Sequence, residues 1–391
     1  MKYGIDSVHT GSTELLAFGE PTHLEPAFGW ARNELFAQLA ARGFRSIALE
    51  SDRVAALTVN DYVQGGTGSL DTVLREGFSH DFGAMAANRH LVCWMRECNE
   101  NRPSGERLTF HGFDLSSEMM SAPSPRIYLE YARDYLGSDL DFASLLGADE
   151  RWSRTEAVLH AGESVGASGA ADTLRALADD MLVELYTRAP QLIAATSLDH
   201  WFRAETYLTA GLGLLRYHKQ AAQRVEQEAR WSRMSATRDA LMAQNLLDIR
   251  RIEARRGPTL VFAHNLHLRP NPSRMRMGEM DLTWSSAGAV VRSLLGERYT
   301  VVLGSLGRDE EIALYEPGPG TYEGFLQTRV RSRELLSPSV IPPAAERTDH
   351  KKEDRMVSYG YFPLDRNTID AADGILHINN GATLRDVDLR P

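Results

Sequence analysis

The stretch LLAFGEPTHLEP, Leu15–Pro26, decides how the rest of the chain is read. Four apolar residues, Leu15 to Phe18, are followed at once by an acid, a hydroxyl and an imidazole: Glu20, Thr22 and His23. A short apolar run bounded by turn residues reads as a buried strand. From Pro26 to Ala41, Phe28, Leu35, Phe36 and Leu39 return at helical spacing, and Gly43 closes the pattern. The segment is a strand, a loop and a helix. Two readings of the loop stand side by side. Thr22 can cap the helix, with Glu25 and Pro26 in its first turn and His23 an exposed bystander. Alternatively the loop carries chemistry, because α/β proteins keep their active sites at the carboxyl ends of parallel strands.

Outward from this segment the same alternation continues. The pattern predicts a strand at Ser46–Glu50, helices at Val54–Val63 and Met85–Asn99, and a strand at Arg107–Phe113 whose end carries Asp114. Gly65-Gly66-Thr67-Gly68 lacks the lysine and spacing of a phosphate loop and reads as a turn. From Ser121 to Glu228 the strand signal disappears, and Leu174–Leu192 and Trp201–Tyr217 show helical periodicity. A long helix at Trp231–Arg255 precedes strands at Thr259–Ala263 and Thr300–Leu303, with a helix at Ala287–Leu295 between them and a last short strand at Gly374–Ile378. The section Pro317–Pro343 and the run HKKEDR, His350–Arg355, read as surface loops. The expected fold is α/β: a mostly parallel central sheet flanked by helices, with a helical insertion capping its carboxyl-end edge. The expected parts are residues 1–120, the first part of the core; 121–228, the helical cap; and 229–391, the second part of the core.

Composition narrows the function classes. With 391 residues, 43% hydrophobic and 25% charged, the chain has enough apolar surface for a large core. A formal charge of −10 with short, scattered basic stretches argues against a nucleic-acid partner. The basic stretch RRIEARR, Arg250–Arg256, reads as the solvated end of a helix. Cys93 and Cys98 lie five apart in a predicted helix, too far apart for an easy disulfide, and read as reduced thiols. The opening MKYGIDSVHT has no apolar leader core, and no stretch approaches the ~20 apolar residues of a membrane span, so no membrane partner and a cytoplasmic location are expected.

Three predicted strand ends carry the same kind of residue: Glu20 and His23, then Glu50 and Arg53, then His264 and His267. A parallel sheet puts those ends on one edge, which is the arrangement that a general base and its orienting acid need. Each piece also has a bland reading: loop histidines satisfied by backbone, Glu50 as a helix cap, Arg32 as a solvated helix residue. The coincidence of three on one edge favours a shared site.

The motifs themselves resemble the erythromycin esterase family. GE-x-x-H at Gly19–His23, Arg32 nine residues on, and GF-x-x-x-A-x-E at Gly43–Glu50 come first. Trp94-Met95-Arg96 with Asn99, Gly112-Phe113-Asp114, Arg238-Asp239-x-x-Met242-Ala243-x-Asn245, Ala263-His264-Asn265-x-His267 and Met277-Gly278 follow in order. The resemblance implies hydrolysis of an ester or lactone by histidine-activated water, with no covalent acyl-enzyme and no cofactor or metal. It implies His23 as base, Glu20 and Glu50 as its acidic neighbours and His264 as a further catalytic group. Arg32, Arg53, His267 and Asp114 are the implied substrate-binding residues. At Leu24-Glu25-Pro26 the chain departs from relatives that continue with glycine.

The residues agree with that chemistry. There is no Gly-x-Ser-x-Gly elbow and neither cysteine stands at a predicted strand end, so water is the available nucleophile. Two rivals remain. Glu20-x-x-His23 with His264-x-x-His267 offers ligands for zinc or manganese, although arginines in the same cleft repel a divalent cation. The same acid–base set also suits elimination, cyclisation or epimerisation of a small metabolite. In every version the partner is a small-molecule substrate.

Overall fold

The structure is a computed structural model and describes residues 11–342 and 360–384, apart from 24, 67 and 119. The opening MKYGIDSVHT, Thr67 of the glycine turn and HKKEDR lie outside the described residues.

Strand β1, Leu15–Glu20, is buried along its whole length. Its side chains alternate between two faces, as a strand's must. Leu16 and Phe18 enter one core with Phe28, Leu35 and Phe36 of helix α1, Pro26–Ala40. Leu15 and Ala17 enter the core on the other face. Strand β2, Ser46–Asp52, helix α2, Ala56–Val63, helix α3, Ala86–Glu100, and strand β3, Thr109–Asp114, complete the first half. Each of β1 and β2 runs two residues further than the apolar pattern alone indicated, which brings Glu20 onto β1 and carries β2 past the expected Glu50 to Asp52. The expected cap is also corrected: Glu25, not Thr22, accepts from the Ala27 N–H and caps α1, while Pro26 fills its first turn.

Between β3 and the next strand the chain is helical among the described residues. Helices α4, Arg126–Leu136, α5, Gly169–Thr187, and α6, Leu198–Ala221, share a core of their own that includes Trp152, Leu174, Met181, Trp201 and Leu208. A further cluster joins this bundle to the sheet ends: Val54 and Leu115 meet Tyr128, Leu214 and Tyr217. Helix α7, Gln227–Glu253, then leads to strand β4, Thr259–His264. None of these helices is long and apolar enough to cross a membrane.

The second half contains the elements least visible in the sequence. Strands β5, Ser273–Met277, and β6, Met280–Trp284, form an unforeseen antiparallel hairpin. Helix α8, Ala287–Leu295, precedes strand β7, Tyr299–Arg308, far longer than the four residues expected. Pro317–Pro343 is not simply loop: it holds helix α9, Tyr322–Arg329, capped by Thr321, and strand β8, Arg333–Leu336, which pairs antiparallel with β9, Gly374–Asn380. Nor is RRIEARR simply solvated, since Arg250 pairs with Glu14, Arg251 with Asp248 and Glu205, and Arg256 with Glu253. Cys93 and Cys98 are free thiols on α3.

The main sheet runs β3-β2-β4-β1-β7-β9-β8, parallel except for β8. Glu20 of β1 stands opposite His264 of β4, whereas the β1–β7 ladder stops at Phe18 and Val302. Past that point the Asn265 side chain takes the place of a strand neighbour. Its amide donates to the Gly304 carbonyl at 2.8 Å and its Oδ1 accepts from the Gly304 N–H at 3.1 Å.

Candidate active site

Because β1, β2 and β4 are parallel neighbours, their carboxyl ends deliver Glu20, Glu50 and His264 to one edge. His23 lies three residues beyond Glu20. Its Nδ1 is 2.8 Å from Glu20 Oε1 and its Nε2 3.7 Å from Glu50 Oε1. The ring lies 5.2 Å from that of Phe82 and 5.1 Å from that of His264. Its side chain is 35% exposed, against 4% for Glu50, so His23 is the member of this group that meets solvent.

Glu50 is the hub. Oε1 is approached by His267 Nε2 at 3.3 Å and Arg238 Nη2 at 3.2 Å, and Oε2 accepts the His264 backbone N–H at 2.8 Å. Burial pushes its pKa up, but His267, His23 and Arg238 outweigh that and hold it well below the usual carboxylate range. For Glu20 burial prevails over the pull of His23, and its pKa is raised. At His23 burial disfavours the imidazolium, yet Glu50 and Glu20 overcome it and the net shift is upward.

The two remaining histidines have opposite fates. His267 sits between Glu50 and Asp239, whose Oδ1 is 2.5 Å from His267 Nδ1 and whose other oxygen accepts from the Trp284 indole. Ionised carboxylates only accept, so both ring nitrogens donate and the ring is an imidazolium. Burial opposes this, but Asp239 and Glu50 push its pKa up to about 10. His264 donates from Nε2 to the Pro21 carbonyl at 3.1 Å and accepts at Nδ1 from the Leu266 N–H at 3.1 Å. Burial and the charge of His23 push its pKa down to about 3. Both of its nitrogens serve the backbone, and the neutral ring forms a wall against His23.

A cavity of about 380 Å³ opens beside His23. Trp30, Phe82, Met85 and Phe262 supply apolar walls, and Glu20, Glu50 and Arg32 supply charge. Arg32 is only 1% exposed. Its guanidinium donates to the amide oxygens of Asn33 and Asn88 and to the Ala87 carbonyl, lies 4.9 Å from the Phe262 ring, and is pushed down to about 9 by burial. Asp114 is joined to the hub through Arg238, which donates to Asp114 from Nε at 2.9 Å and from Nη2 at 2.5 Å. Arg53 turns elsewhere: it pairs with Asp248 at 2.6 Å and lines a separate cavity of about 210 Å³ between β3, α6 and α7. Thus Glu20, His23, Glu50, His264, His267 and Arg32 are brought together, Asp114 stands one residue removed, and Arg53 lies apart.

Three participants were given no role from sequence. Arg238 and Asp239 belong to a quoted motif but come from a helix, so strand-end reasoning passed over them. His80 lies in a turn with φ +57°, as does Asp81. Only the adjacency of Arg238 and Asp239 in a conspicuous motif could have drawn attention to any of them. No group of three or more His, Cys, Asp or Glu among the described residues is arranged to hold a metal ion.

Fold and cluster together define an α/β protein with histidine–carboxylate chemistry gathered at its strand carboxyl ends. The chain belongs to the erythromycin esterase family, whose profile matches residues 39–380. It is similar in structure to a mutant of the erythromycin esterase EreC in its open conformation, at 17% identity and a TM-score of 0.67 over 96% of this chain and 92% of that one. A Bacillus cereus protein is similar at 15% identity and a TM-score of 0.66 over 96% and 90%. A succinoglycan biosynthesis protein is similar at 14% identity and 0.65 over 97% and 90%. These likenesses show the fold. No curated protein matches the chain.

Proposed function

We propose that this protein hydrolyses an ester or lactone of a small, natural-product-like metabolite, using water activated by His23. The observation that carries the reading is the asymmetry of His23: Nδ1 is fixed on Glu20 at 2.8 Å, while the ring is part-exposed on the cavity. With its Nδ1–H given to Glu20, the neutral ring presents a lone pair at Nε2 and takes a proton from water as the water attacks the carbonyl carbon. The imidazolium so formed lies between Glu20 and Glu50, which stabilise it. Arg32 keeps one Nη1–H beyond the one given to Asn88 and is the basic side chain lining the cavity, so it is the donor for the developing oxyanion. Collapse of the tetrahedral intermediate returns the proton from His23 to the leaving alcohol.

The cavity sets the scale of the bound group. About 380 Å³ lies near the lower end of the ~300–1,000 Å³ of small-molecule pockets, and its walls suit a compact apolar acyl part. Family membership and the likeness to an erythromycin esterase support the ester-hydrolase reading, in which no metal or cofactor takes part and the enzyme acts in the cytoplasm. The test is turnover of a panel of small esters and lactones in heavy-oxygen water, with metal analysis of chelator-treated enzyme alongside. Label in the product carboxylate and full activity after metal removal are expected. An unlabelled product from a rearranged or eliminated substrate would overturn hydrolysis.

A further inference from the structure

His80 stands outside the cluster just described yet touches it from two directions. Its Nε2 is 3.2 Å from Asp114 Oδ2, its Nδ1 2.5 Å from Glu118 Oε2, and its backbone N–H donates to Glu118 Oε1 at 3.2 Å. An imidazole with a carboxylate within hydrogen-bond distance of each nitrogen has both nitrogens donating, so the ring is an imidazolium. The charged groups facing it are Asp114 at the end of β3, Glu118 in the following loop and Arg238 on α7. Burial and Arg238 oppose the charge, the carboxylates favour it, and the net pKa shift is upward.

The backbone shows what this charge holds. His80 and Asp81 both adopt φ +57°, a left-handed conformation that non-glycine residues keep only when their surroundings enforce it. Ser79 is tied to β2 through its N–H to Ser51 Oγ and through its own Oγ, which accepts the Asp52 N–H, both at 3.0 Å. The Phe82 carbonyl accepts from Asn88 at 2.8 Å. The Phe82 ring reaches both His80, at 5.4 Å, and His23, at 5.2 Å. On its other side His80 completes the shell of Asp114, the carboxylate that positions Arg238 on Glu50.

We propose that His80 is a positioning residue for His23: as an imidazolium bridging Asp114 and Glu118, it pins the Ser79–Met85 turn so that Phe82 covers His23 and Arg238 stays on Glu50. The proposal rests on the reading of His23 as the base. Loss of the His80 proton leaves a ring lone pair facing a carboxylate, which releases the turn. Activity then has two limbs: it rises with pH as His23 loses its proton and falls with pH as His80 loses its own.

His80→Asn tests this, because asparagine tolerates the left-handed backbone but carries no charge. Glu118→Gln is the companion variant, at a side chain 53% exposed, and leaves His80 in place with one carboxylate fewer. Two readouts need no substrate: amide hydrogen exchange, and the titration of His23 by proton NMR. In His80→Asn the amides of Phe82, Ala84 and Met85, now bonded to Ser79, Asp81 and Phe82 carbonyls, should exchange roughly ten-fold faster. His23 should titrate at higher pH, since it gains solvent and Glu50 loses part of its partner. Unchanged exchange or an unchanged His23 titration overturns the proposal. On ester substrates, kcat/KM should fall roughly ten-fold, short of the ~10²-fold cost of misplacing a reacting group by 1 Å. The alkaline limb should vanish in His80→Asn and move to lower pH in Glu118→Gln; a limb unmoved in both overturns the role of His80. Hydrolysis failing in wild type while the two substrate-free readouts respond would instead fault the hydrolytic reading and leave the clamp standing.

Discussion

Helix α7 takes part in two buried ionic clusters, one at each edge of the sheet. Near its end, at the amino edge, Glu253 accepts from Thr109 Oγ1 at 2.7 Å and from Arg256 Nη1 at 2.9 Å, with His111 Nε2 at 2.8 Å. Midway along, Arg238 and Asp239 join Glu50, His267 and Asp114 at the carboxyl edge. Residue types are nearly the same: carboxylate, imidazole, guanidinium. The difference lies in what is left over. At the amino edge His111 is 12% exposed and committed to Glu253, whereas at the carboxyl edge His23 is 35% exposed and stands on a cavity. A charge cluster becomes a candidate for chemistry when one proton acceptor keeps an open side.

The sharpest way to break the comparison is His23→Asn. Base catalysis contributes ~10²–10⁴-fold, so kcat should fall by about that factor while circular dichroism stays native. Retention of more than about a tenth of the rate would mean the open side of His23 is not where chemistry occurs.

Next in size is a pH effect confined to the carboxyl edge. The folded pKa of His267, about 10, exceeds its unfolded value near 6.5. Its contribution to stability is therefore complete below about pH 6.5 and is lost as pH rises through about 10. His264, held at about 3, has the opposite sign: its contribution is complete above about pH 6.5 and is lost as pH falls toward 3. Unfolding free energies from urea titrations should thus decline on both sides of about pH 6.5, by several kcal/mol toward pH 10, and His267→Gln should flatten the alkaline side. A variant that keeps the wild-type alkaline slope would show that the His267 ion pairs do not set it.

Glu253→Gln sharpens the contrast from the amino edge. Removing the charge that His111 and Arg256 share should cost about 1–3 kcal/mol in unfolding free energy while leaving kcat/KM unchanged. A large loss of activity at full folding would couple the two edges. The smallest effect is expected for Cys93→Ala with Cys98→Ala, free thiols on α3 that do not line the cavity beside His23: turnover at the wild-type level, with any loss confined to stability. A catalytic loss there would reveal thiol chemistry.

What could be read from the chain follows from these physical differences. Buried strands such as Leu15–Phe18 and Ser46–Glu50 announce themselves by apolar runs, and parallel topology then carries Glu20, Glu50 and His264 to one edge. The hairpin β5–β6, RMRM followed by MDLTW, alternates cations and methionines and gives no such run. Strand β8 is only four residues long and follows a stretch rich in proline and glycine. In the site, strand-end residues were legible because their position follows from the fold class. Arg238, Asp239 and His80 arrive from a helix and a left-handed turn, where sequence spacing says nothing about which strand end they meet. The neutral, backbone-bound state of His264 was equally hidden, since it depends on carbonyl and amide directions at Pro21 and Leu266.

The Asn265 side chain that replaces a strand neighbour between β1 and β7 also dictates where laboratory evolution of this enzyme has room. A Cβ at Gly19 would lie 2.3 Å from Asn265 Oδ1, and one at Gly304 2.5 Å from the Gly19 carbonyl oxygen. These three positions therefore lock one another: none accepts a larger side chain unless the others shift, and a shift there moves the residue directly before Glu20. Room lies instead at Trp30 and Met85, which line the cavity from outside the sheet. A library for new substrates belongs on those two, with Gly19, Asn265, Gly304 and the Phe82 cover of His23 held constant.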